Sequence, residues 1–473
     1  MTDHPRRAIA WFRRDLRLAD NRMLEAATRD AARVWPVFVA DPALLETHAL
    51  ATGRIAWFGA NLAALDARLR DAGSGLTVLR GRPEDVLPAF AADVGADRVY
   101  AAADEDPVAI ARETEVAGVV DLRLVDDQRI VPPSELRTGA GDAYTVFTPF
   151  RRSLDARIDD APEAFTSRAE ADLTRLAPPP AAGTGLKAFV APPAPHELPD
   201  AGEEAATNRL RAFLRADIDD YHGERDRPDL DSTSHLSPYL RVGAISIRAC
   251  WRAAVNAAGR ARERSDRRLA QGALTWRGEL AWREFFAHVL AAHPRLANES
   301  FRRELDGIEW STASEAGTAL DAWRNGRTGF PFVDAGMRQL VATGWMHNRA
   351  RLVTASFLVK DAGVDWRRGE SVYLEHLLDA DTQQNNGNWQ WVAGVGTDAA
   401  PYFRIFNPTL QAKKFDPHGA YVRRWVPELA HLPDELIHEP WRAPQVPKAY
   451  PEPLLDHAEA RQRTLARYRT ASS

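Results

Sequence analysis

Cysteine is almost missing from this chain: Cys250 is the only one in 473 residues. A single thiol excludes an internal disulfide and a cysteine-based zinc site, and no metal site is expected. Long apolar runs are missing too. None approaches the roughly 18 to 20 residues that a spanning helix needs, so no membrane partner is expected. The opening MTDHPRRAIAWFRRDLRL turns charged again after a few apolar residues, unlike a secretory leader, which makes the cytoplasm the expected compartment. Neither GxGxxG nor GxxxxGK[ST] follows any strand-like run, so the usual dinucleotide and nucleoside-triphosphate fingerprints are absent. An excess of basic residues is absent as well, with a net charge of −5. That argues only weakly against a nucleic-acid partner, because phosphate binding needs a local basic face and not a basic protein. There is no internal repeat and no low-complexity tail.

What is present is the composition of an ordinary globular protein, 45% hydrophobic and 27% charged, long enough for about three domains. Tryptophan stands out: 11 of the 14 fall after residue 250, which points to cofactor stacking or electron transfer beyond simple packing. Short apolar runs at Ala8–Trp11, Val34–Val39, Leu76–Leu79, Arg98–Ala102 and Leu122–Val125 alternate with helical patterns such as Gly53–Ala72. This alternation predicts a Rossmann-like parallel α/β domain with helices on both faces, over residues 5–133. From Gly139 to Asp200 the pattern degrades into Pro, Ala and Gly, and residues 134–200 read as an ordered interdomain connector draped over the surface. From Glu203 onward helical periodicity dominates, at Glu203–Leu214, Ile247–Ala258, Arg268–Leu290, Val333–Val341, Asn348–Lys360 and Glu370–Leu378. Residues 201–473 are therefore expected to form a mostly helical domain.

Three segments carry chemistry. Thr343–Arg351, TGWMHNRAR, opens a helical pattern with Asn348, Arg349 and Arg351, where backbone N–H groups favour an anion such as phosphate. Asp379–Trp391, DADTQQNNGNWQW, reads as a polar loop between apolar helices that wraps a polar ligand, since buried amides and acids must be hydrogen-bonded. Ser232–Ser237, STSHLS, places hydroxyls beside loop amides, a setting for phosphate or for simple caps and turns.

Six segments in order, WFRRDLRLADN, GELAWREF, TGFPFVDAGMRQLVATGWMHNRAR, DWRRGE, NNGNWQW and DAAPYFRIFNPTLQAKKFD, resemble the photolyase/cryptochrome family across nearly the whole chain. Within it the chain is most similar to class I cyclobutane pyrimidine dimer photolyases. The resemblance implies light-driven DNA repair by electron transfer from excited reduced FAD, in a lyase acting on damaged duplex or single-stranded DNA, and a monomer is expected. The alternative within the family is a blue-light photoreceptor with little repair activity; the absence of a long signalling tail favours repair.

The resemblance also implies roles for particular residues. Tyr221, Thr233, Ser234, His235, Leu236 and Ser237 match FAD-binding positions around the phosphates, and Trp276 a further flavin contact. Asp379, Ala380 and Asp381 match the segment near the isoalloxazine and ribose, with Arg351 as the ion partner of Asp379. Asn385 matches the residue facing flavin N5, where an amide favours reduced flavin. Glu279, Trp282, Asn348, Leu352 and Trp391 line the substrate cavity; the tryptophans are walls for a flipped dimer and Glu279, neutralised by desolvation, a donor to its carbonyl. Trp389, Trp366 and Trp310 match an electron-hopping chain. Arg225, Arg283, Arg349, Arg404 and Gln411, with Lys413 and Lys414 nearby, are implied to meet DNA phosphates. Members that act on (6-4) photoproducts carry histidines at the positions of Asn348 and Leu352, so cyclobutane dimers are the expected lesion. Asp104 and Arg54 match an antenna site, which implies 8-hydroxy-5-deazaflavin; methenyltetrahydrofolate or an empty site are the alternatives.

Overall fold

The computed structural model describes residues 7–47, 51–180, 185–398, 401, 404–445 and 447–471. Packing divides the chain into two compact units, Met1–Asp220 with Ser234–Pro294, and Tyr221–Thr233 with Arg295–Ser473.

The first unit holds a five-stranded sheet: β1 (Arg7–Phe12), β2 (Arg33–Ala40), β3 (Thr77–Arg80), β4 (Arg98–Ala102) and β5 (Leu122–Val125). All neighbours pair in parallel in the order β3-β2-β1-β4-β5. β1 and β2 read as continuous apolar runs because both of their faces are covered. The crossovers run through α1 (Arg22–Asp30), α2 (Pro42–Thr47), α3 (Thr52–Asp71), α4 (Pro83–Val94) and α5 (Pro107–Ala117). Right-handed crossovers put α1 and α3 on one face and α4 and α5 on the other. The five strands expected from the sequence are all present, to within a residue at each end.

The stretch read as an ordered interdomain connector carries helices. It contains the 14-residue helix α6 (Phe147–Asp160), followed by α7 (Pro162–Thr166). In α6, Phe150, Leu154 and Ile158 recur at four-residue spacing and are buried, a short stripe that the Pro-rich sequence after it masked.

Further along come α8 (Glu203–Ala216), α9 (Tyr221–Glu224), α10 (Ser237–Val242), α11 (Ile247–Arg264) and α12 (Arg267–Ala292). All but α9 belong to the first unit. A buried ion network ties α11 to the strand ends. Arg248, fully buried, donates to Asp127 Oδ1 at 2.8 Å and to the Asp20 backbone oxygen at 2.7 Å. Arg17 reaches Asp127 Oδ2 at 2.6 Å and Arg252 reaches Asp20 Oδ2 at 2.8 Å. Burial alone would raise the Asp127 carboxyl, but Arg17 and Arg248 hold it well below the usual carboxylate range.

The second unit is helical: α13 (Ala313–Arg324), α14 (Pro331–Thr343), α15 (Asn348–Ser356), α16 (Trp366–His376), α17 (Thr382–Ala393), α18 (Pro408–Phe415), α19 (Ala420–Trp425) and α20 (His457–Ala471). Its core gathers Trp323, Phe332, Leu340, Phe357, Trp366, Tyr373 and Trp389. α15 runs into a π turn at Phe357–Asp361, where a continuous helix to Lys360 was expected. Among the described residues no helix is long and apolar enough to cross a membrane.

Arg248→Met removes the cation shared by two buried carboxylates while nearly conserving volume. It is expected to destabilise the protein by about 3–5 kcal/mol, seen as a lower urea midpoint.

Candidate functional site

The site in the second unit is built by helix punctuation. α14 stops at Gly344, whose φ of +66° is a left-handed cap that glycine adopts without strain. The chain then restarts at His347, whose Nδ1 accepts from Arg349 N at 3.1 Å and caps α15. Asn348, Arg351, Leu352 and Ala355, spaced for one face of α15, line an open cavity with about 500 Å³ of empty space. Tyr373 and Leu377 from α16 form a second wall. Gln384, Asn385, Asn388, Trp389 and Val392 from α17 form the third. Asp379, Ala380 and Asp381 close it between the helices.

DADTQQNNGNWQW, expected as a loop, is for the most part this third helix. Asp381 caps α17, its Oδ1 accepting from Gln383 N at 3.0 Å and Gln384 N at 3.3 Å. A run of amides has weak helix propensity, and tertiary packing overrides it: Gln383, Asn385, Asn386 and Gln390 are all buried. Gln390 Nε2, for example, donates to Glu299 O at 3.0 Å and to Asn386 Oδ1 at 2.8 Å.

Arg351 and Asp379 form a two-pronged bridge, Nη1 to Oδ1 at 3.1 Å and Nη2 to Oδ2 at 2.8 Å. Arg351 Nε is held by Met346 O at 2.8 Å, so the guanidinium plane is fixed. Asn385 lines the cavity, and its Nδ2 donates to Glu370 O at 3.2 Å. Burial pushes the Glu370 carboxyl up to about 7. Trp389 packs edge-on to Tyr373, with centroids 4.9 Å apart, and to Trp323 at 6.1 Å. Gly369 admits it: a Cβ there would lie 2.3 Å from Trp389 Cη2. Trp366 and Trp389 are both buried with indole N–H groups that lack a hydrogen-bond partner. Trp310 is partly buried against the same core, and so is Trp391, which does not line the cavity.

The remaining candidates fall in both units. In the second, Tyr221 is buried, Arg225 follows α9, and the buried Ser232 hydroxyl has no partner. Arg349 pairs with Asp226 at 2.8 Å, and its guanidinium lies 4.2 Å over the Phe415 ring. Lys414 lies 4.9 Å over the same ring, Lys413 pairs with Glu439, Arg404 is exposed, and Gln411 sits on α18. Thr233 ends the segment that joins this unit.

In the first unit, Ser234 O accepts from Arg209 at 2.9 Å, His235 has a φ of +50°, Leu236 is buried, and Ser237 begins α10. On α12, Trp276 is buried against Phe213, and Glu279 is half-buried. Trp282 stacks face to face on Phe147 at 3.7 Å, so one of its faces is already covered. Arg283 donates to Gln128 O at 3.3 Å. Asp104 is buried and paired with Arg14; burial acts to raise it, but Arg14 and Arg13 hold it below the usual range. Arg54 is pushed down to about 9 by burial, with Arg241 adding like-charge repulsion.

Sequence reading missed Ala355, Tyr373, Leu377, Gln384, Asn388 and Val392 as cavity residues. On α17, positions 384, 388 and 392 recur every four residues, a signal that was there but lay within a segment taken for a loop.

The helical pocket joins a bridged Arg–Asp pair, a row of amides and the buried Trp389, a set suited to a polar aromatic cofactor. Residues 8–168 match the family model described as DNA photolyase, and residues 276–470 match that of the FAD binding domain of DNA photolyase. The deoxyribodipyrimidine photo-lyase of Escherichia coli K12 is 38% identical, over 100% of this chain and 99% of its own length. A crystal structure of a class III photolyase from Agrobacterium tumefaciens superposes with a TM-score of 0.87 at 36% identity, covering 98% of this chain and 97% of that one. An archaeal photolyase from Sulfolobus tokodaii, described with two FAD molecules, superposes at 0.83 with 30% identity, covering 98% and 100%. The chain belongs to the photolyase/cryptochrome family.

A Glu370 carboxyl raised to about 7 binds its proton more tightly folded than unfolded, where the value is 4.5. Its contribution to stability is therefore full below about pH 4.5 and is lost as pH rises through about 7, by up to about 3 kcal/mol. Glu370→Gln should flatten this decline, measured as melting temperature against pH.

Proposed function

We propose that this protein is a light-driven DNA lyase that reverses cyclobutane pyrimidine dimers, with FAD in the α15–α17 cavity. The observation that carries the reading is the cavity itself: Asn348, Leu352, Arg351, Asp379 and Asn385 stand on its walls in a chain whose full length matches deoxyribodipyrimidine photo-lyases. The donor set fits flavin. The fixed guanidinium of Arg351 and the acid of Asp379 suit the polar edge of the ring, and Asn385 offers an amide in the same cavity. The unpartnered Ser232 hydroxyl, with Tyr221 and Thr233 to Ser237, suits the phosphates and ribose. Once bound and reduced, flavin supplies on illumination the electron that opens the cyclobutane ring.

The protein's own part is to bind, orient and exclude water. Asn348 is exposed at the cavity mouth and Leu352 lies one turn further in, so one amide and one apolar wall meet the lesion. Neither is a histidine able to protonate a (6-4) adduct, which supports the cyclobutane reading. On the resemblance, Glu279 is assigned as hydrogen-bond donor to a dimer carbonyl, and Trp282 and Trp391 each as an apolar surface for the flipped bases. Trp389, Trp366 and Trp310 are assigned to carry electrons inward, a role suited to buried indoles in an apolar core. Arg225, Arg283, Arg349, Arg404 and Gln411 are assigned to DNA phosphates. For the antenna, Arg54 and Asp104 are assigned to 8-hydroxy-5-deazaflavin on the resemblance of their positions, with methenyltetrahydrofolate or an empty site as the alternatives.

Illumination of the purified protein with oligonucleotides that carry one lesion each is the direct test. Loss of the cyclobutane lesion with the (6-4) lesion left intact is expected; repair of (6-4) alone overturns the specificity, and repair of neither supports a photoreceptor. An absorption spectrum of the same sample identifies the antenna. Trp366→Phe is expected to stop photoreduction of oxidised flavin while sparing repair by chemically reduced protein, followed by flavin absorbance and dimer loss in parallel.

A further inference from the structure

We infer that Asp226 is a positioning residue for DNA: it holds Arg349 flat on Phe415 so that one guanidinium edge is ready for a single phosphate of the damaged strand. The inference rests on the reading of Arg349 as a DNA contact and asks what prepares it.

Arg349 is the second residue of α15, one position after Asn348 at the cavity mouth. A side chain there projects to a different flank from the cavity-lining face, and its guanidinium lies 4.2 Å over the Phe415 ring. Lys414 shares that ring at 4.9 Å, so two cations lie against one aromatic ring. Asp226 Oδ1 takes Arg349 Nη2 at 2.8 Å. The Arg349 side chain is left only 15% exposed, and its Nε is buried without an acceptor. A buried N–H with no partner is unfavourable, so the posture serves something other than the free protein's stability. Ring face, ion pair and helix start together remove the rotamer freedom that an arginine otherwise loses on meeting phosphate. Nη1 is the edge left to bind.

An acid beside a DNA-binding arginine has two opposed effects, and their signs separate the roles. As a bare charge, Asp226 repels DNA, and its removal tightens binding. As a positioning residue it preorganises Arg349, and its removal weakens binding although the protein gains a positive charge.

The test is binding of FAD-loaded protein in the dark to an oligonucleotide with one cyclobutane dimer, by fluorescence anisotropy across a salt titration. Asp226→Ala is expected to weaken binding about tenfold and to lower the slope of log K against log salt by about 0.9, one phosphate contact. Asp226→Glu should restore most of both. In the Arg349→Ala background, Asp226→Ala should have no further effect. Tighter or unchanged binding by Asp226→Ala, or an equal loss with and without Arg349, overturns the inference. Flavin content and melting temperature of each variant separate this from misfolding, and Asp226→Asn, which keeps an acceptor, should fall between the parent and alanine. If Arg349→Ala itself leaves affinity and slope unchanged, the DNA reading of this face fails; if it weakens binding while Asp226→Ala does not, only the role of Asp226 fails.

Discussion

The helical unit depends on one constraint: buried polar groups around an open cavity need partners before any ligand arrives. The Arg351–Asp379 bridge meets it at the cavity's most charged point. Two hydrogen bonds at 3.1 and 2.8 Å link α15 to the segment before α17, and the third, to Met346 O, fixes the arginine against its own helix start. With the bridge in place, Asp381 is free to cap α17, and the cap turns the amide-rich segment into a helix. Remove the bridge and a buried carboxylate stands alone, which is why the pair and the cavity are one feature.

The same rule operates in the first unit with a different result. Arg248, Arg17 and Arg252 satisfy Asp20 and Asp127 so completely that nothing is left over for a ligand. That network belongs to the fold. At Arg54 burial lowers the guanidinium to about 9, and Arg241 adds like-charge repulsion.

Net charge gave little sign of the proposed DNA face because its basic groups are few and local. Around Phe415, Arg349 and Lys414 share an aromatic face while Asp226 and Glu439 hold Arg349 and Lys413. Acidic partners lower the long-range field of such a face and sharpen its short-range geometry.

The alternation of apolar runs and helical periods determined the parallel sheet, because the period of hydrophobicity follows from strand and helix geometry alone. Ordered motifs determined the family, and TGWMHNRAR marked the start of α15. What the sequence could not decide was anything carried by contacts between distant segments. α6 was hidden because its short apolar stripe borders a Pro-rich stretch, and α17 because amides have no intrinsic pull toward helix until Asp381 caps them and the core buries them. Whether Arg349 stood free or stacked on Phe415, and where the Asn385 amide donated, depended on partners 66 and 15 positions away along the chain. Periodicity is a local property and survives in the sequence; the satisfaction of buried polar groups is a non-local one, and only the tertiary structure decided it.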